Sequence, residues 1–348
     1  MSSNAMPVAA PGLESSADAV RLLEAACRPP FYSRTSLEAL LETAEALPTI
    51  LSLSHMFERP LSGGEHPVDF FLWLSAKGRR DVLAGTHAGL PAAFLGQESW
   101  RRIRDFARGW EDETSPVHDV CSVWLEFDIR GRLAGVPNPL IFFTIEPHVS
   151  PRPVLELLQP RSFDSPELAT LRRCWEAIPS SCRYRTVGVL YSRPTEALRL
   201  ILILKPDEAF SYLERIGWPG APGKLYQRMA PFFRFHSEIA LHVDVHPQGV
   251  QPQVGMEIYV DEDAMYRGRG GDCGPLLDLT VKESLCTPGL RDALAVWPGT
   301  DTVGLSDGST VRIERMFHHV KVVSQLDLSL QAKAYTTAEY EVSPPWNR

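Results

Sequence analysis

Short stretches of alternating hydrophobic and polar residues recur along the chain, and each pair of them follows a region with helical spacing. The alternation predicts β-strands with one buried face, because successive side chains of a strand point to opposite sides. The intervening regions carry apolar residues three and four positions apart, such as Trp100, Ile103, Phe106 and Trp110. The pattern therefore predicts a repeat of helices followed by a strand pair.

Five such units follow one another, with strand pairs predicted to begin near residues 68, 120, 186, 239 and 315. In the first unit the predicted strands are VDFFLWLS (68–75) and RDVLAG (80–85). Five hairpins give ten mostly antiparallel strands, and closing them into a barrel removes both exposed edges. We therefore predict an α+β fold, a ten-stranded antiparallel barrel built from five ααββ repeats with the helices outside.

The two faces of the predicted strands differ in chemistry. One face is apolar, as a helix-covered outer surface requires; it carries Val123, Leu125, Phe127, Leu198, Leu200, Leu202, Leu204, Ile239, Leu241, Val243, Val245, Met256, Ile258 and Val260. The opposite face is polar and aromatic; it carries Ser122, Trp124, Glu126, Asp128, Arg199, Lys205, His242, Asp244, His246, Glu257, Tyr259, Lys333 and Tyr335. A polar interior stabilises a barrel little, so this face indicates a ligand chamber. The alternative is a two-layer α+β sheet with one solvated face.

Composition narrows the classes of function. With 348 residues, 44% hydrophobic and 22% charged, the chain has ordinary globular composition. We assign residues 15–348 to a single domain and interpret residues 1–14 as a tag or flexible leader. The net charge of −8 and the lack of a run dense in Lys and Arg argue against nucleic-acid binding. No apolar stretch is long enough to predict a membrane span, and six cysteines without CxxC spacing favour a cytoplasmic location.

The last hairpin adds a short motif. Lys333-Ala334-Tyr335 places a lysine and a tyrosine on the same strand face, and Glu257-Ile258-Tyr259 repeats the spacing with an acid in place of the base. Together with the five repeats and the face pattern, this motif resembles the ABBA (PT-barrel) aromatic prenyltransferases. The resemblance covers roughly residues 16–341.

The resemblance implies transfer of a prenyl group from an allylic diphosphate to an aromatic acceptor in natural-product biosynthesis. The acceptor would be an indole or phenol, carried by a small molecule or a peptide. No tightly bound cofactor is implied, and whether Mg²⁺ accompanies the diphosphate stays open.

The resemblance also assigns roles to residues of the polar face. Basic side chains would hold the diphosphate, for which the candidates are Arg199, Lys205, Lys321 and Lys333. Aromatic side chains would shield the carbocation from water, for which the candidates are Trp124, Tyr191, Tyr259 and Tyr335. Glu126 is the candidate carboxylate beside the acceptor, and His242 is a further candidate for substrate contact.

Two other functions fit the same chamber. Acid–base isomerisation or cyclisation would use Glu126, Asp128 or Glu257 as proton donor. A non-catalytic barrel that binds a small molecule or peptide would use the chamber only as a pocket.

Two further patterns carry weaker signals. His242, Asp244 and His246 alternate on one strand and could converge on a metal, although three alternate positions span roughly 13 Å. Strict alternation predicts that His318 and His319 face opposite ways. The glycine-rich segment 266–274 lacks the lysine of a phosphate loop, and its Arg267 and Arg269 are candidates to close over the mouth of the barrel.

Overall fold

The computed structural model describes residues 13–26, 33–47, 51–64, 66–75, 80–85, 90–130, 133, 135–260 and 271–343. Within these ranges eleven strands form one sheet. The strands are β1 (Ser54–Pro60), β2 (Asp69–Ser75), β3 (Ser122–Phe127), β4 (Leu140–Ile145), β5 (Arg185–Val189), β6 (Leu198–Leu204), β7 (Ile239–His246), β8 (Gly249–Tyr259), β9 (Gly299–Gly304), β10 (Thr310–Ser324) and β11 (Leu330–Ser343).

The sheet closes on itself. Strands β1 to β8 pair in chain order, β10 follows β8, and β11 pairs with both β10 and β1. Every pairing in this ring is antiparallel, so the predicted ten-stranded barrel is confirmed. The remaining strand, β9, lies beside the ring. It pairs with residues 310–315 of β10, whereas β8 pairs with residues 319–324 of the same strand.

The first hairpin differs from the prediction. Its two strands are β1 and β2, so the strand pairs of the barrel begin at residues 54, 122, 185, 239 and 310. The prediction of a strand at RDVLAG is wrong, because residues 80–84 form a short helix that buries Val82, Leu83 and Ala84. The sequence of β1, SHMFERP, lacks the branched residues that mark a strand, and it was missed for that reason.

Helices precede the first hairpin and occupy the segments between the later ones. They are α1 (Ser16–Ala26), α2 (Arg34–Ala46), α3 (Arg80–Ala84), α4 (Ala92–Leu95), α5 (Glu98–Glu111), α6 (Arg152–Leu158), α7 (Ala169–Glu176), α8 (Pro206–Arg215), α9 (Pro222–Met229), α10 (Gly274–Lys282) and α11 (Pro288–Ala295), with 3-10 turns at Pro166–Leu168 and Ala230–Phe232. Proline opens α8, α9 and α11, where its missing N–H costs no hydrogen bond. Among the described helices, none combines the length and the apolar character that a membrane crossing needs.

The hydrophobic core lies between the helices and the outer face of the barrel. The predicted outer face is confirmed, since its strand residues pack in one continuous cluster with the helices. Helix α5 contributes Trp100, Phe106 and Trp110, all fully buried. Each such side chain stabilises the fold by about 2 kcal/mol relative to an exposed one. Leu13, which the sequence placed in a leader, is also fully buried in this core. The opposite strand faces are therefore left to line the inside of the barrel.

Candidate active site

The inside of the barrel holds two adjoining cavities of about 440 Å³ and 110 Å³. The larger cavity, here called the aromatic end, is lined by rings that include Phe71, Trp73, Trp124, Phe142, Tyr259 and Tyr335. The smaller cavity, here called the charged end, is lined by ionisable groups that include Glu58, Arg193, Asp244 and Lys333. Four side chains line both cavities, namely Glu126, Arg199, His242 and Lys321. The two cavities are therefore the two ends of one chamber.

Ring contacts shape the aromatic end. Trp73 and Trp124 stack with centroids 5.9 Å apart, and Phe71 meets Tyr335 at 5.7 Å. Phe142 leans over Gly188 of β5, where an added Cβ would lie 2.3 Å from the phenyl ring. Only glycine at this position leaves room for that ring. The aromatic end is thus a pocket for apolar or planar groups.

Paired charges surround the charged end. Arg199 donates two hydrogen bonds to Asp244, at 2.7 and 2.9 Å, and Lys333 donates to Glu58. Arg193 reaches in from the turn after β5. It donates to both carboxylate oxygens of Asp128, at 2.7 and 2.9 Å, and also contacts Glu126 at 3.0 Å. These three cations are therefore neutralised by nearby carboxylates.

Lys321 has a different environment. Among the described residues no carboxylate lies within ion-pair distance of its ammonium, which donates instead to Nδ1 of His242 at 3.0 Å. Burial, followed by the nearby charge of Arg199, lowers the pKa of Lys321 to about 8. Gly255 gives this side chain its path, because a Cβ there would lie 2.7 Å from Cε of Lys321. Lys321 is a buried cation suited to receive an anion.

Glu257 is the hub of a hydrogen-bond network on β7, β8 and β10. Since Nδ1 of His242 accepts from Lys321, its Nε2–H donates to Oε1 of Glu257, at 2.7 Å. Tyr259 donates its hydroxyl to Oε2 of Glu257 at 2.6 Å, and Nε2 of His319 lies 3.4 Å from Oε1. Burial opposes ionisation, but His319 and His242 outweigh it and hold the pKa of Glu257 well below its usual range. Glu257 is therefore an ionised carboxylate near neutral pH.

Glu126 is a buried carboxyl of the opposite kind. Its pKa is raised to about 7, chiefly by burial, while the charge of Arg193 opposes the rise and the charges of Glu58 and Asp128 add to it. Burial and Glu58 also raise the pKa of nearby Asp69 well above its usual value. These two groups retain protons where Glu257 does not, so this wall of the chamber can exchange protons near neutral pH.

One group of carboxylates has the spacing of a metal site. Ligand oxygens of Asp69, Glu126 and Asp128 lie within 4.8 Å of one another. Arg193 already binds two of these three carboxylates, so a divalent cation would have to displace it. The His242, Asp244 and His246 pattern does not form a common site, since Asp244 binds Arg199 while His242 binds Glu257.

Nine of the eleven predicted site residues line the chamber: Trp124, Glu126, Arg199, His242, Glu257, Tyr259, Lys321, Lys333 and Tyr335. The prediction that Lys205 and Tyr191 face the chamber is wrong. Lys205 follows the last residue of β6 and is exposed at the start of α8. Tyr191 lies in the turn beyond β5, and its hydroxyl donates to the carbonyl of Leu158. Alternation holds only within a strand, and both residues lie past a strand end.

Two groups of chamber residues were missed. Glu58 belongs to the unrecognised strand β1, and Arg193 lies in a turn, where no periodicity indicates direction.

The prediction that His318 and His319 face opposite ways is also wrong. A β-bulge between Phe317 and His319 shifts the register of β10 against β11, and both histidines line the aromatic end. Arg267 and Arg269, proposed to close over the mouth, lie outside the described residues.

Solved structures similar to this chain include two 6-dimethylallyltryptophan synthases and AnaPT. One of the synthases is 14% identical, over 94% of this chain and 92% of the other, with a TM-score of 0.45. AnaPT from Neosartorya fischeri is 12% identical over 94% and 92%, with a TM-score of 0.44. The synthase from Micromonospora olivasterospora, in complex with DMASPP and Trp, is 15% identical over 93% and 92%, with a TM-score of 0.46.

No family model matches the sequence, and no curated protein matches it. The similar solved structures are aromatic prenyltransferases, the family that the repeats and the Lys-x-Tyr strand resemble. At these identities and TM-scores, the function of this chain has to be argued from its own chamber residues.

Proposed function

We propose that the chamber transfers a prenyl group from an allylic diphosphate to an aromatic ring. The observation that supports this best is the convergence of Arg193, Arg199, Lys321 and Lys333 on one end of a chamber whose other end is lined by aromatic rings. An allylic diphosphate needs fixed positive charge at its leaving oxygens, and the resulting carbocation needs aromatic faces in place of water.

Charge singles out Lys321 as the first contact of the diphosphate, and position adds Arg199. Four carboxylates with lowered pKa values, Glu58, Asp128, Asp244 and Glu257, oppose the four cations of the chamber. Glu126 and Asp69 add less negative charge because their pKa values are raised. Lys321 lacks a carboxylate partner among the described residues, and with Arg199 it borders both ends of the chamber. A diphosphate bound there would point its prenyl chain into the aromatic end.

The chemistry then follows from this placement. The C–O bond to the diphosphate breaks, its electron pair leaves with the diphosphate oxygen, and the developing charge is stabilised by Lys321 and Arg199. The allylic carbocation lies among Trp124, Tyr259 and Tyr335, where an electron-rich indole or phenol attacks it. Loss of a proton from the attacked carbon restores the aromatic ring. The cavity of about 440 Å³ is within the range of pockets for small-molecule ligands.

The pathway and the cellular location of this reaction belong to the same proposal. The resemblance supports a natural-product pathway, and the five described cysteines, which form no disulfide, are compatible with a cytoplasmic protein. Peptide-borne acceptors stay within the proposal, since Trp73 and Tyr184, which line the aromatic end, are each 38% exposed.

Turnover with defined donors tests the proposal. The protein is incubated with dimethylallyl or geranyl diphosphate and a panel of indoles, phenols and tryptophan-containing peptides, with and without Mg²⁺. We expect diphosphate release that depends on the acceptor, and a mass increase of one prenyl unit in the product. Absence of both product and thermal stabilisation with either donor would rule out the donor class.

Acid–base isomerisation or cyclisation is the second candidate, and the raised pKa of Glu126 favours it. A carboxyl with a pKa of about 7 is a competent proton donor at neutral pH. In that case turnover would consume no diphosphate, and kcat would fall as pH rises through about 7. Glu126→Gln would abolish this turnover. Unchanged turnover in Glu126→Gln would exclude this role for Glu126.

A further inference from the structure

Two consecutive histidines of β10 face the same cavity. The bulge between Phe317 and His319 brings both His318 and His319 onto the wall of the aromatic end. Their Nδ1 atoms lie 2.7 Å apart, which is hydrogen-bond distance. One of these nitrogens must therefore carry the proton and the other the lone pair.

The surroundings of His319 decide between the two arrangements. Its Nε2 is buried and lies 3.4 Å from Oε1 of the ionised Glu257. A lone pair on Nε2 would face that negative charge, whereas an N–H would be attracted to it. His319 therefore carries its proton on Nε2, and its Nδ1 accepts the proton of His318. It follows that Nε2 of His318 carries a free lone pair.

The ring of His318 is placed to use that lone pair. His319 is held by stacking on Tyr335, with centroids 4.1 Å apart, and by Tyr259 at 5.0 Å. His318 meets the edge of Tyr259 at 5.6 Å and is itself only partly buried. Among the described residues, no hydrogen bond reaches its Nε2. The aromatic end thus presents an unpartnered, neutral imidazole nitrogen to its contents.

We propose that His318 is the base that removes the proton from the prenylated acceptor ring, with His319 and Glu257 as positioning residues. This inference rests on the proposed prenyl transfer for its substrate. After the carbon–carbon bond forms, the C–H bond at the attacked carbon breaks and its electrons restore the aromatic sextet. The proton moves to Nε2 of His318, and the positive charge formed there is stabilised through His319 by the carboxylate of Glu257. Glu126 lies instead beside Arg193 at the border of the charged end.

Product partitioning tests this role. In the wild type each released diphosphate should accompany one prenylated product. In His318→Asn the donor still ionises, so we expect diphosphate release within about threefold of wild type while prenylated product falls about 100-fold. The adduct that cannot lose its proton breaks its new carbon–carbon bond, and the allylic carbocation released in this way reacts with water to give the prenyl alcohol and a proton. The matched control is His148→Asn. His148 is exposed and does not line the chamber, so both rates should stay unchanged. A parallel loss of diphosphate release and product in a folded His318→Asn would overturn the proposal.

A spectroscopic measurement tests the same inference without turnover. With ¹⁵N-labelled histidine, we expect His318 to show the Nδ1–H tautomer and His319 the Nε2–H tautomer at pH 7. The signals are assigned by their loss in His318→Asn and His319→Gln. An Nε2–H tautomer at His318 would contradict the proposal, even if prenyl transfer itself were demonstrated. If the wild type releases no diphosphate but the tautomers are as expected, the proposed function fails, and the base role fails with it for lack of a substrate.

Discussion

Glu126 and Glu257 are buried carboxyls of the same chamber, yet their pKa values shift in opposite directions. Glu126 contacts one cation, Arg193, which it shares with Asp128, and it lies near the further negative charge of Glu58. Glu257 receives hydrogen bonds from His242 and Tyr259 and lies beside His319. Burial penalises the ionised form of both carboxyls, so the number of hydrogen-bond donors at each one decides the direction of its pKa shift. One wall of the chamber can exchange protons, while the other holds a fixed charge.

The largest expected difference lies in stability. Glu257→Leu removes the acceptor of several buried donors, and we expect the free energy of unfolding to fall by about 4 kcal/mol. The same substitution at Glu126 leaves Arg193 bound to both oxygens of Asp128, and we expect a loss of about 1 kcal/mol. Urea denaturation at pH 7 measures both variants. Equal losses would show that the two carboxyls do not differ as described.

The next effect is a dependence of stability on pH. The pKa of Glu126 is raised from 4.5 to about 7 in the folded protein, so between these values the folded state retains a proton that the unfolded state has released. Protonated Glu126 therefore stabilises the fold fully below pH 4.5, and this contribution is lost as pH rises through 7. Over that range the free energy of unfolding falls by on the order of 3 kcal/mol. Glu126→Gln should remove that slope. The prediction fails if the stability difference between variant and wild type is constant from pH 4.5 to 8.

The smallest effect concerns a single donor to Glu257. Tyr259→Phe removes the 2.6 Å hydrogen bond to Oε2, and we expect a loss of about 1.5 kcal/mol. Tyr335→Phe is the matched control, because no hydrogen bond of the Tyr335 hydroxyl occurs among the described residues. It should change the free energy of unfolding by less than about 0.5 kcal/mol. A similar loss in both variants would contradict the assignment of Glu257 as the hub.

Strand alternation was sufficient to predict the barrel and most of its interior. Residues that lie within strands, such as Trp124, Arg199 and Glu257, were placed correctly because alternation cannot slip within a continuous ladder. The helix-covered outer face followed from the same rule.

The errors occur where a strand ends or its register shifts. Tyr191 and Lys205 lie beyond strand ends, and Arg193 enters the chamber from a turn. The bulge that turns His318 inward is set by the pairing of β10 with β11, which is a property of two strands and not of either sequence alone. The pKa contrast between the two glutamates is equally out of reach of the sequence, because it depends on donors brought from other strands.

Binding of the donor tests the central claim most directly. An unreactive thiodiphosphate analogue of dimethylallyl diphosphate is titrated calorimetrically into the wild type, Lys321→Met and Lys205→Met. We expect the wild type and Lys205→Met to bind alike, since Lys205 is exposed outside the chamber. Lys321→Met should bind about 30-fold more weakly, as loss of one charged hydrogen bond predicts. Absence of binding to the wild type, or equal affinity in all three proteins, would contradict a diphosphate site at Lys321.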